Sequence, residues 1–159
     1  MPVQRTKKKY TPKEAKELIG RFCAYRERCQ SEVQQRLYDY GLHTGDVDEI
    51  MSELILQGYL NEERFARAFV RGKFLHNNWG RNKIVRQLKV KKVSEPCIRL
   101  GLEEIDNEQY DQKLLDLLEA YDKKLKESNS YVRKRKIADH LIRKGYESAM
   151  VWDLIRDRV

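Results

Sequence analysis

One five-residue pattern comes round three times. It reads Val33-Gln34-Gln35-Arg36-Leu37, then Ile84-Val85-Arg86-Gln87-Leu88, then Ile137-Ala138-Asp139-His140-Leu141, at spacings of 51 and 53 residues. Each copy sets two apolar side chains four apart, on one face of a helix. Four residues past the leucine stands Gly41 in the first copy and Gly145 in the third; the middle copy has Lys92 there. The long helices that precede the pattern also correspond, opening near Thr11, Asn61 and Asp106. Thr11-Pro12-Lys13-Glu14 is a strong helix start, with Thr as cap, Pro at the first position and Glu reaching back. Short third helices are expected near Asp46, after Ser94 and after Ser148.

A three-helix unit of about 50 residues buries too little surface to be very stable alone. Stacking such units shares a core between neighbours. The expected fold is therefore all-α: an elongated, curved array of three tandem three-helix units, about nine helices. The expected divisions are a basic arm at 1–10 and units at 11–60, 61–105 and 106–159. A single compact helical domain with evenly spaced helices is the alternative. Composition agrees with either, because 3 prolines and 8 glycines in 159 residues are too few for a turn-rich β chain.

Charge separates the units. Residues 11–60 hold 6 basic and 9 acidic side chains, 61–105 hold 11 and 5, and 106–159 hold 12 and 11. From Arg64 to Lys92 there are ten Lys/Arg and no Asp or Glu. Solvated helices normally mix signs, so a one-sign stretch points to a polyanionic partner; the alternative is a basic face neutralised by acids elsewhere in the fold. In the helix after Asn61, Phe65, Ala68, Phe69 and Gly72 are the expected core positions. Arg64, Arg67 and Arg71 share a neighbouring stripe, suited to phosphates or carboxylates. Lys73, Arg81, Lys83, Arg86, Lys89, Lys91 and Lys92 extend the candidate surface. Arg133, Lys134, Arg135 and Lys136 form a second candidate contact, or a solvated turn near Asp122 and Glu127. Trp79 is either a core anchor or a stacking residue. Lys7, Lys8 and Lys9 belong to the arm. The nine tyrosines are expected mostly at joints and helix flanks with wet hydroxyls.

Tyr59-Leu60-Asn61-Glu62-Glu63-Arg64-Phe65-Ala66-Arg67-Ala68-Phe69-Val70-Arg71, followed by Trp79-Gly80 and the Ile84…Leu88 helix, resembles the RecX family of bacterial recombination regulators. The resemblance is clearest over these 30 or so residues, and the outer units match mainly in apolar spacing. It implies an elongated protein that lies in the groove of the RecA–DNA filament and lowers strand exchange, ATP hydrolysis and co-protease activity of RecA. Such a role belongs to recombinational repair and the SOS response. The basic surface would face filament carboxylates or DNA phosphates, and the residues do not choose between them. A helix-turn-helix DNA-binding protein acting without RecA is the alternative. Direct DNA contact under the first reading is expected to be weak and sequence-independent.

No enzyme site is expected. There is no Gly-x-x-x-x-Gly-Lys-Ser/Thr loop, and His43, His76 and His140 are scattered without metal-ligand spacing. No cofactor and no metal are implied. Cys23, Cys29 and Cys97 suit neither a disulfide framework nor a zinc site, and read as reduced thiols of a cytoplasmic protein. No apolar run nears the ~18 residues of a membrane span. MPVQRTKKKY lacks the apolar stretch of a secretory signal. No heptad or long apolar patch calls for a dimer, so a monomer is expected.

Overall fold

The computed structural model describes residues 9–159. The basic arm assigned to 1–10 lies almost wholly outside them, Lys7 and Lys8 included. The described residues form nine α-helices and no strand: α1 Pro12–Tyr25, α2 Gln30–Asp39, α3 Thr44–Leu56, α4 Glu62–Asn77, α5 Arg81–Val90, α6 Glu95–Leu102, α7 Asn107–Lys124, α8 Ser130–Arg143 and α9 Ser148–Arg158. The principal helix–helix packing lies within the triplets α1–α3, α4–α6 and α7–α9.

Local chemistry explains the starts of the first helices. Thr11 and Glu14 form a reciprocal capping box on α1. Asn61 accepts from Arg64 N–H at 2.8 Å to open α4, and Asp106 accepts from Gln109 N–H at 2.9 Å to open α7. Such caps each contribute about 1 kcal/mol. Helix α3 begins two residues before the expected Asp46, at Thr44, from a His43 cap without a side-chain bond.

The repeat is also written in the backbone. Gly41, Lys92 and Gly145 all take positive φ, at 87°, 60° and 105°. Each N–H donates to the carbonyl three residues back, in Tyr38, Lys89 and Ile142 respectively. Lys92 thus occupies a left-handed helix stop that its two counterparts fill with glycine.

Two cores result. One is closed inside α1–α3 around Ala15, Ile19, Val33, Leu37, Val47 and Ile50. The other runs without a break through α4–α9, with Val70, Phe74, Ile84, Leu88, Tyr110, Leu114, Ile137, Leu141 and Tyr146. Burying each large apolar side chain contributes roughly 1.5–3 kcal/mol. The inward face of α4 differs from the expected one. Phe65 is buried, but its fellows are Ala66, Val70 and Phe74, while Ala68, Phe69 and Gly72 are only half-buried. The cause is α6, which crosses α4 so closely that a Cβ on Gly101 would stand 3.1 Å from the Ala66 carbonyl carbon. That contact turns Ala66 inward and leaves Phe69 at the edge.

Tyr110 and Tyr146 are exceptions to the expectation that tyrosine hydroxyls mostly stay wet. Both are fully buried with rings 5.1 Å apart. The Tyr110 hydroxyl donates to Glu147 at 2.8 Å and accepts from Arg81 N–H at 3.1 Å, and the Tyr146 hydroxyl donates to Asn78 O. Burial, above all, pushes both phenols far above their ordinary pKa.

Candidate anion-binding surface of the central unit

Half of the cations singled out from the sequence already hold anions of this chain. Arg64 pairs with Glu27 from the α1–α2 turn and donates to Gly58 O at 2.9 Å. Arg67 reaches Glu63, Glu103 and Glu104 at 3.0, 3.3 and 3.4 Å. The Glu63 hydrogen bond, ahead of the other two carboxylates, raises the Arg67 pKa. Arg71 reaches Glu104 at 3.0 Å. The three guanidiniums share a stripe, as the 3.6-residue period requires, but that stripe fastens α4 to the first unit and to the end of α6. They are not three free forks.

The same holds further along. Arg81 donates to Asn107 at 2.7 Å, lies 3.6 Å from Glu147 and stacks 3.8 Å over the Tyr110 ring. Arg133 pairs with Asp122 at 2.7 Å and donates to Leu125 O and Glu127 O at 3.0 and 2.9 Å, which closes the α7–α8 turn. Lys136 bonds Glu127 at 2.9 Å and lowers that carboxyl's pKa. Arg135 stands a looser 3.8 Å from Asp139.

Lys73, Lys83, Arg86, Lys89, Lys91, Lys92 and Lys134 have no ion pair to a carboxylate among the described residues. Six of these seven lie between residues 73 and 92, on the second half of α4, on α5 and in the turn after it. The free charge has therefore moved off the arginine stripe to the next helix. Its centre is aromatic. Trp79, half-buried, packs at the margin of the larger core and meets Phe69 edge to face at 6.4 Å. Lys73 and Lys83 bring their ammoniums to 4.8 and 4.4 Å from the Trp79 ring centroid. Trp79 is thus neither wholly core nor wholly surface.

On its other side α5 borders an open cleft of about 750 Å³, lined by Asn82, Val85, Arg86, Asp139, Ile142 and Arg143. The first turn of α5 offers no anion site of its own. Gly80 N–H donates to Lys144 O at 2.8 Å and Asn82 N–H to Gly145 O at 2.9 Å. Two of the three third helices are poor in cations: α3 has no Lys or Arg and α6 has only Arg99, while α9 carries Arg156 and Arg158. Neither α3 nor α6 resembles the basic reading helix that a helix-turn-helix protein lays in a groove.

Sequence reasoning passed over three side chains. Arg28 is 7% exposed, with its guanidinium 3.6 Å over Phe22. Lys113 donates to Phe74 O at 2.8 Å, and burial lowers its pKa. Arg143 borders the cleft.

Tandem triplets of helices, fused at the second and third and bearing lysines without ion pairs among the described residues on the central one, define an all-α repeat protein with a cationic central unit. Residues 61–102 match the RecX second three-helix domain and residues 108–155 the RecX third three-helix domain, so the chain belongs to the RecX family. The regulatory protein RecX of Amycolatopsis mediterranei is 24% identical over 147 residues, 92% of this chain and 84% of that one. That of Bacillus licheniformis is 29% identical over 125 residues, 79% of this chain and 48% of the relative. The chain spans about half the length of the Bacillus relatives it matches. The crystal structure of RecX from Lactobacillus salivarius superimposes with a TM-score of 0.82 at 19% identity, over 92% of this chain and 95% of that one. A second crystal structure of a regulatory protein RecX gives 0.83 at 20% identity, over 92% and 73%. At these identities the likeness is one of fold. No helix among the described residues is long and apolar enough to cross a membrane.

Proposed function

We propose that this chain is a regulator, not a catalyst, that binds the RecA–DNA filament and inhibits the recombinase, ATPase and co-protease activities of RecA, modulating recombinational repair and the SOS response. Units at 11–60, 61–105 and 106–159 act together as one monomer in the cytoplasm. The observation that carries the reading is the set of unpaired cations between Lys73 and Lys92, on the unit in the middle of the array. A polymer with a repeating anionic surface can meet all of them along its length. Lys73, Lys83, Arg86, Lys89, Lys91, Lys92 and Lys134 supply the contacts. Arg64, Arg67, Arg71, Arg81, Arg133 and Lys136 hold the units in the shape that presents them, and Arg135 adds an exposed charge beside Lys134.

The test is a titration of this protein into RecA hydrolysing ATP on single-stranded DNA. Inhibition is expected, and the combined variant Lys89→Glu/Lys92→Glu should need severalfold more protein for the same effect. Full ATPase at saturating, folded protein would refute the reading.

A further inference from the structure

Three ammoniums of the central unit are gathered at one place. Lys73 comes from the second half of α4, Lys83 from the first turn of α5 and Lys91 from the residue that ends α5. They converge on the Phe69–Trp79 pair. Lys73 Nζ lies 4.8 Å from the Trp79 centroid and 5.5 Å from that of Phe69. Lys83 Nζ lies 4.4 Å from Trp79, and Lys91 Nζ 5.9 Å from Phe69. The negative ring faces hold the ammoniums and offset part of their mutual repulsion. What remains is local positive charge with no carboxylate of the described residues at ion-pair distance, and an outside anion is attracted to it.

The residue types say which anion. Where this chain grips its own carboxylates in the central unit it does so with guanidiniums, at Glu27, Glu63, Glu103 and Glu104. The arginine fork grips carboxylate and phosphate alike, but here Arg64, Arg67 and Arg71 are taken by carboxylates, and the lysines left over meet phosphate as point charges. The gathered groups are all lysines. Separate point charges arriving from three directions fit a tetrahedral phosphate, whose oxygens also point in several directions. A single strand carries a phosphate at every nucleotide, so lysines held side by side on an aromatic pair can follow its backbone.

We propose that Lys73, Lys83 and Lys91, arranged by Phe69 and Trp79, form a seat for the phosphodiester backbone of single-stranded nucleic acid. The proposal rests on the filament reading for its biological setting, and it deepens that reading by assigning this seat to nucleic acid rather than to protein carboxylates. Trp79 acts here as a positioning residue for the lysines.

The experiment measures binding of labelled oligothymidylate to the full chain over a series of salt concentrations, with RecA ATPase inhibition followed in parallel. The triple variant Lys73→Gln/Lys83→Gln/Lys91→Gln should lose about tenfold in affinity at low salt. Its slope of log affinity against log salt should flatten by about 2, since each lost single-strand phosphate contact removes roughly 0.7. Trp79→Leu should weaken binding about threefold with every lysine present, and Trp79→Phe should restore most of it, because a ring still organises the ammoniums. In a Trp152→Phe background, oligothymidylate should change the Trp79 emission. Unchanged affinity and slope in a triple variant with the native circular dichroism would overturn the seat. So would a variant that keeps its oligothymidylate affinity yet no longer inhibits RecA, because the lysines would then be meeting protein carboxylates. A variant that loses oligothymidylate and still inhibits RecA supports the seat and removes these three lysines from the contacts that inhibition needs.

Discussion

The array has two joints, and they are made of different materials. Between the second and third units the backbones touch. A Cβ on Gly80 would stand 2.3 Å from the Gly145 carbonyl carbon, and one on Gly145 2.4 Å from Lys83 Cβ. Around that contact the Tyr110 and Tyr146 rings pack at a tilt, and Lys113 reaches across to Phe74 O. The apolar core continues through it. Between the first and second units the named contacts are largely polar. Arg64 meets Glu27, and Ser31 Oγ donates to Lys91 O at 2.6 Å. Cys29 is the single buried side chain from α1–α3 or their connecting turns that joins the larger core. The lesson is that one repeat can be joined in two ways. An apolar, interlocked joint makes two units fold as one body, whereas an ionic joint leaves the first unit with its own core and a tie that salt can loosen.

The largest effect that would break this comparison is expected from Gly80→Ala. There is no room for the methyl against the Gly145 backbone, so overpacking should cost about 3 kcal/mol. Denaturant unfolding should show the loss in the transition of the second and third units and leave that of the first in place. A loss spread over the whole chain would mean the ionic joint is as firm as the apolar one. Next comes Tyr110→Phe, which removes a hydroxyl serving both Arg81 N–H and Glu147; about 1–2 kcal/mol should go, with the same transition affected. Glu27→Gln cuts the Arg64 pair and, being a partly exposed pair, should change stability by less than about 1 kcal/mol. Its signature is geometric: scattering at low salt should show a separation of the first unit from the rest that is expected of the wild-type protein only at high salt. The smallest effect concerns pH. His140 stacks on Tyr121 at 4.0 Å, and burial, then Lys144 and Arg143, lower its pKa below the ordinary 6.5. The unfolded chain therefore takes up this proton first. The contribution of His140 is complete above pH 6.5 and is lost as pH falls from there to its folded value. Thermal melts between pH 7 and 5 should show a drop in the fused body that His140→Gln reduces.

Much of this fold is legible in the order of residues because its causes are local. Thr11 and Glu14 are three apart, and each finds the other as soon as a helical turn forms. Ile84 and Leu88 face the same way for the same reason, and both are fully buried. Even the odd Lys92 keeps its place in the repeat, with positive φ where Gly41 and Gly145 have it. The free cations were less legible. A window of ten Lys/Arg without an acid is a true property of the chain, but Glu27 and Glu104 lie 37 residues from Arg64 and Arg67 along it. Nothing in the window announces those partners. The rotation of α4 was hidden likewise, since Phe69 and Val70 are both apolar and only the crossing of α6 decides between them.

The linear chain by itself determined the helices, their grouping in threes and the excess of positive charge in the middle. These follow from a 3.6-residue period, from caps within one turn and from simple arithmetic of charge. Only the tertiary structure decided which units fuse, which arginines are held inside and which lysines stand free. Those outcomes depend on groups far apart in the chain meeting at a few ångströms, and at that range a single glycine or glutamate settles the matter.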